Sequence, residues 1–325
     1  MTPGALAEIE EALVDDFSHA ECIGFVQARL LGVPDHALVR EEVGFTRPAH
    51  HPRCRSAPTV TALSLQARMN IEDITWTNLS ADIYLGLHAS AVRLYMDSVV
   101  KPALDAIDAR RDELERDEDP VAIFMKADVE ELRKSAIEAF ALAIQSLWER
   151  QLRQFLKGCA RELKRGDALV KSLATDDWTK LVRHFGDLRG VPLENFDSFE
   201  DLDLLQLLGN ACRHGDGKSA NMLHDRWPEL WPAWLPSPPD PWPPLPGGEA
   251  QPLRPPFSTI SVPRALLDRV ANAVIWFWED HNYIYTNSLL SKPRSVADSL
   301  QAMRDDRARR PPRQSIAAMR TVGGG

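Results

Sequence analysis

Hydrophobic positions recur at spacings of three and four residues over most of the chain, the spacing of one helix face. Ile9, Leu13, Phe17 and Ala20 share such a face, so residues 3–30 are expected to form one or two helices. Gly32, Pro34, Pro48, Pro52 and Pro58 then mark an irregular stretch. Thr59 to Asn70 fits a short helix or an edge strand. Leu85, His88, Val92, Tyr95 and Val99 predict a helix. Pro102 should kink or divide it, because proline lacks the N–H and crowds the preceding turn. A second, charged piece through Arg110 to Asp119 ends before Pro120. The longest pattern runs from Ala127 to Lys164, with a stripe of Ile137, Phe140, Ile144, Trp148, Leu152 and Phe155. The cluster Thr175-Asp176-Asp177 is suited to cap a helix through Arg189, which carries Trp178, Leu181, Val182 and Phe185. Leu204, Leu205, Leu207, Leu208, Ala211 and Cys212 make another buried face. Asp197 or Ser198 is the expected N-cap there, and Gly215 the left-handed exit. Ser261 and Pro263 start a further helix, with Leu266, Val270, Ala273, Val274 and Phe277 on one side. Helical signal resumes from Ser295 to about Arg309.

Alternating strand patterns are scarce and no internal repeat of 20–50 residues is evident, so the fold class expected is all-α, a multi-helix bundle. Twelve of the 24 prolines fall between Pro228 and Pro256, with Trp227, Trp231, Trp234 and Trp242 in or beside them. Proline forces extended backbone and exposed tryptophan is costly, so this stretch reads as a strap that buries its rings along the bundle. The organisation expected is therefore an N-terminal helical segment and loop (1–58), a helical region (59–126), a bundle core (127–227), the strap (228–260), C-terminal helices that dock back (261–309) and a flexible tail (310–325).

Charge narrows the classes of function. The net charge of −9 argues against a protein that coats nucleic acid generally and leaves room for a local basic cleft. No run of 18 apolar residues is present, and Met1 to Val14 carries glutamates where a signal peptide would be basic. No membrane partner and a cytoplasmic location are expected, with Cys22, Cys54, Cys159 and Cys212 reduced.

The densest chemistry is in Leu204 to Leu223. Asn210 and His214 stand four residues apart and so share a helix face; Arg213 is one step round and Lys218 follows the Gly215-Asp216-Gly217 exit. Imidazole suits proton transfer near neutral pH, and Arg and Lys suit phosphate. The same residues also serve as ordinary helix C-terminal caps. Gly217-Lys218-Ser219 resembles the end of a P-loop, but Cys212 stands where that motif needs glycine, and a helix precedes it instead of a strand. His19/Cys22 and His51/Cys54 have zinc-ligand spacing. The first pair reads better as helix core and the second as a loop, so no metal and no cofactor are expected. His88 lies on an apolar stripe and reads as a core histidine. Glu149 and Arg153 form an i, i+4 ion pair, with a role in holding Arg213 or RNA phosphate as the alternative.

Asn210-x-x-x-His214-Gly215, late in an amphipathic helix of an all-helical chain, resembles the HEPN superfamily. The likeness spans about Ile137 to Leu223. It implies a small helical bundle of bacterial defence, stress or toxin–antitoxin biology. It also implies a homodimer or partner protein, RNA as the other partner, and metal-independent endoribonuclease activity. His214 matches the family histidine, and Asn210 a polar position found in many members. In the catalytic version His214 is the general acid/base, Arg213 and Lys218 stabilise the phosphorane, and Asn210 orients the phosphate or the imidazole. The family Arg should fall at 207 to 209, where this chain has Leu207, Leu208 and Gly209. That departure keeps open a second expectation, a non-catalytic scaffold, sensor or regulatory subunit.

Overall fold

A helix of 43 residues, α3 (Pro120–Glu162), is the axis of the fold. The computed structural model describes residues 69–83, 85–117, 119–234 and 254–322. Those residues lie in one unit that begins at Met69. Among them there are helices and no strand, as the spacing of apolar residues predicts. The stretches 3–30 and 32–58, both His/Cys pairs and Trp242 fall outside the described residues.

α3 begins seven residues before the expected Ala127. Pro120 takes the first helical position, where a missing N–H costs nothing, and the Asp119 carboxylate accepts from the Val121 N–H at 2.8 Å. Before it, α1 (Leu85–Tyr95) and α2 (Lys101–Glu115) are joined by one π-helical turn, Met96–Val100. Pro102 therefore neither kinks nor divides the helix by a break. Its missing N–H is accommodated by a wider turn, in which the Lys101 N–H reaches back to the Met96 carbonyl. α2 then packs antiparallel on α3, with Leu114 and Ala122 buried beside the connection. α4 (Asp167–Ser172), α5 (Trp178–Arg189), α6 (Phe199–His214) and α7 (Lys218–Arg226) follow. The chain then runs through α8 (Arg264–Ser288), α9 (Arg294–Ala308) and α10 (Ile316–Val322).

α8 packs against α1, α3 and α6, and its aromatic residues fill the space between them. Trp148 meets Phe277 edge-on at 4.8 Å between centroids, and Phe155 meets Trp278 at 5.6 Å. Each fully buried ring of this kind contributes roughly 1.5–3 kcal/mol over its exposed state. The Trp278 indole N–H donates to Gln151 Oε1 at 2.8 Å, so its polar edge is satisfied. His281 lies at the centre with no exposed surface, stacked on Phe196 at 4.8 Å. It bonds the Phe277 carbonyl through Nδ1 at 2.9 Å, and burial drives its pKa far down, so the ring is neutral. A buried ion pair closes the far end. Arg189 Nη2 donates to both Asp82 oxygens at 2.9 and 3.2 Å and its guanidinium lies 3.6 Å from the Trp76 ring centroid.

The described part of the strap packs as expected: Trp227 and Trp231 are buried and Trp234 half-buried. The C-terminal segment departs from expectation. Residues 310–322 are not a loose tail: Ile316 and Met319 are buried, Arg310 holds Asp280 at 2.7 Å, and Arg313 holds Asp201 at 2.9 Å. Arg310 and Arg313, which make this segment look basic in sequence, are spent on carboxylates of the bundle. No helix among the described residues is long and apolar enough to cross a membrane.

Candidate functional site

α6 is the most buried of the short helices, and its composition explains why. Leu202, Leu204, Leu205, Leu207, Leu208 and Ala211 are all in the core, so its apolar residues face neighbours on more than one side. Ser198 does not cap it as expected. Ser198 occupies the N-cap position with a helical backbone, and its hydroxyl makes no cap bond. At the other end Gly215 adopts φ 68°, ψ −138°, a conformation that disfavours any side chain, and its N–H closes on the Ala211 carbonyl at 2.8 Å. The Asp216 carboxylate accepts from the Phe257 N–H at 2.6 Å, which pins the exit turn to the end of the strap.

The predicted site residues divide into two groups. Asn210 and His214 lie four apart on one face of α6; Asn210 is half-buried and His214 exposed. Lys218 is exposed at the first position of α7, whose N-cap is Gly217. The side chains of these three make no hydrogen bond or ion pair among the described residues, and no contact of that kind joins them to one another. The first N–H groups of α7 point into the same turn without a helical partner and with the positive end of the helix dipole.

Arg213 belongs to the other group. Its Nη2 donates to Gln145 Oε1 of α3 at 3.1 Å. Gln145 is fully buried, and its amide N–H donates to Gln206 Oε1 at 3.0 Å and to Glu149. Glu149 in turn accepts from Arg153 at 2.6 and 2.9 Å. Burial pushes the Glu149 carboxyl up; the Arg153 bonds and charge, with Gln206 and Gln145, outweigh it and hold the group below the usual carboxylate range. The expected Glu149–Arg153 pair is thus present, but it is half-buried and anchors Arg153 to the carbonyls of Leu173 and Asp176 as well. It reaches Arg213 through Gln145.

Gly209 makes that network sterically feasible. A Cβ added there would lie 2.6 Å from Gln145 Cγ and 2.7 Å from Gln145 Cβ. α6 and α3 touch at this point with nothing between them. Leu207 and Leu208 are both buried. Gly209 has no room for a guanidinium, and the cation of this helix end stands instead at 213. Gln145 has no mark in the sequence, and Gly209 stands out there only as a position where the family Arg is missing. A glycine inside an apolar helix was the available signal, since it costs about 1 kcal/mol against alanine unless packing requires it.

His88 is half-buried 4.6 Å from the Trp278 ring, and burial pushes it down to about 4, so it stays neutral. His184 bonds Asp176 at 3.0 Å. Burial pushes the Cys159 and Cys212 thiols up to about 12, which leaves both unreactive at neutral pH. No family model, curated protein or solved structure matches the chain.

Proposed function

We propose that the His214 end of α6 is an RNA-binding surface of a HEPN-like protein of bacterial defence or stress biology, with His214 positioned for metal-independent cleavage. The observation that carries this reading is the set of uncommitted polar groups at one turn. The Asn210 amide, the His214 imidazole and the Lys218 ammonium have no protein partner among the described residues, beside the open N-terminus of α7. Arg213 keeps four guanidinium N–H groups beyond its bond to Gln145. A phosphodiester seated there meets two cations and the helix N–H groups. His214 would take the proton from the ribose 2′-hydroxyl as the oxygen attacks phosphorus, and a proton would return to the departing 5′-oxygen, leaving a 2′,3′-cyclic phosphate. Lys218 and Arg213 would stabilise the pentacoordinate charge.

The test is cleavage of labelled single-stranded RNA and tRNA in EDTA. Cutting that is lost in His214→Ala and weakened at least tenfold in Arg213→Gln supports the nuclease. Tight packing at Leu207, Leu208 and Gly209 favours a second reading, a non-catalytic module that binds RNA or a protein through the same turn. Binding without cutting, with wild type and His214→Ala equally folded, selects it.

A further inference from the structure

The first turns of α3 carry apolar side chains that nothing among the described residues covers. Phe124 is 75% exposed, Val121 59%, Leu132 55% and Met125 40%. Counted from Val121 they fall at i, i+3, i+4 and i+11, which sets them in one row along one face. The row is about 16 Å long at 1.5 Å per residue. α2 packs on another side of α3, where Ala122 is buried, and the end of the strap reaches α3 through Lys134, which donates to the Ser258 carbonyl. Single exposed apolar residues are ordinary, but a contiguous row of large ones marks a docking surface.

Charge decides what fits there. Asp128 stands within the row, between Met125 and Leu132, and Glu131 stands beside it. Both are exposed, and neither makes a hydrogen bond or ion pair among the described residues. From Asp112 to Glu131 the chain holds nine carboxylates and two cations, Arg116 and Lys126. Lys126 is already paired with Glu115 at 3.6 Å. A nucleic acid or an anionic bilayer would set phosphates against these carboxylates. A second copy meeting row to row would set Asp128 and Glu131 against their own kind. A second copy laid antiparallel along α3 would bring up the far part of the same face, which carries Arg150, Gln154, Lys157 and Arg161. Those residues answer the charge but offer no apolar side chain to cover Phe124 and Leu132. The occupant must bring cations and apolar residues together.

The geometry points to a docking site for a basic amphipathic helix of another protein, laid along the first turns of α3, with its apolar side chains on Val121, Phe124, Met125 and Leu132 and its lysines or arginines on Asp128 and Glu131. Positions 121, 125, 128 and 132 alternate by four and three, the spacing of a coiled-coil seam, so a partner helix can seat one side chain per turn. A single acidic position inside that seam fixes the register and rejects acidic or wholly apolar partners. The surface is separate from the His214 turn. Gln145, which holds Arg213, lies 13 residues beyond Leu132 on α3, about 20 Å along the axis.

The full chain is titrated into a labelled synthetic peptide of three heptads, with leucine at positions a and d and lysine at e and g, and into a twin with glutamate in place of lysine. Fluorescence anisotropy reads the binding. The lysine peptide is expected to saturate in the micromolar range and the glutamate twin to bind at least tenfold more weakly. Phe124→Ser and Leu132→Ser should each weaken the lysine peptide about tenfold. Asp128→Lys should shift the preference toward the glutamate twin. All three side chains are exposed, so these variants keep the fold, which circular dichroism checks. His214→Ala should change neither affinity, so this surface stands or falls apart from the RNA reading. Equal affinity for the two peptides, absence of saturable binding, unchanged affinity in folded Phe124→Ser, or loss of binding in His214→Ala overturns the proposal. So does a dimer in sedimentation of the chain alone that Phe124→Ser dissolves, which would make a second copy the occupant. Binding to phosphatidylglycerol vesicles that Phe124→Ser abolishes would overturn it in favour of a membrane.

Discussion

At Gly209 two buried helices meet with no side chain between them, and the 2.6 Å that a Cβ would leave to Gln145 sets the chemistry of the whole helix end. Gly209→Ala improves helix propensity by about 1 kcal/mol. The overlap with Gln145 should outweigh that gain, with a net loss of about 1–3 kcal/mol in urea denaturation. The same substitution displaces the amide that holds Arg213, so phosphate or RNA affinity should fall with it. A gain in stability would show that Gln145 has another place to go. The contrast between legible and illegible residues is sharp here. Asn210 and His214 were readable because four residues along a helix put them on one face. Gln145 was not, because its partner Arg213 lies 68 residues away and no local period encodes that pairing.

Among the elements, helix ends were read less well than helix faces. The Thr175-Asp176-Asp177 cluster does cap α5: the Asp177 carboxylate accepts from the Lys180 N–H at 3.0 Å. Asp177→Ala should therefore cost about 1 kcal/mol, read as a shift of the urea midpoint at unchanged slope. Ser198 is likewise of a type favoured at N-caps and stands at the same kind of position, but its hydroxyl caps nothing. Ser198→Ala should leave stability within about 0.5 kcal/mol of wild type or raise it, since the alanine removes a buried oxygen without a partner. A loss equal to that of Asp177→Ala would mean that the serine caps after all. The difference between the two ends is one of backbone. Asp177 is extended at φ −70°, ψ 169°, as a capping residue must be, whereas Ser198 at φ −75°, ψ −13° already turns with the helix. Residue type is visible in a sequence and this choice of ψ is not. Pro102 teaches the same lesson, because a proline signals a lost N–H but not whether the chain answers with a kink or a π-turn.

Over the whole molecule, the C-terminal arginines are what the sequence concealed most. Their spacing resembles a solvated basic tail, while their carboxylates lie 30 to 112 residues away. The clamp makes a distinctive prediction about pH. Asp280 is 1% exposed; burial pushes its carboxyl up from the usual 3.8 to about 6, against the pull of Arg310 and Arg307. The folded chain therefore takes up a proton at Asp280 that the unfolded chain lacks between about pH 4 and 6, and this group's contribution to stability falls as pH rises through that window. His88 runs the other way. Pushed down to about 4 from 6.5, it is neutral in the fold where the unfolded chain is protonated, so stability rises with pH over the same range, and His88→Gln should flatten that rise. Arg310→Gln removes the main cation facing Asp280 and drives its pKa higher still. At pH 7 to 8 the variant should lose about 3–5 kcal/mol, the cost of stranding a buried charge. Near pH 4 to 5, where Asp280 is protonated in either protein, the loss should shrink to that of the bond and packing alone. Adding Asp280→Asn should recover most of the neutral-pH loss by removing the stranded charge. Urea denaturation of the four proteins across pH 4 to 8 reads all of this at once. A loss in Arg310→Gln that is the same at every pH, or unrelieved by Asp280→Asn, would show that Arg310 holds the C-terminal segment by packing and not by charge.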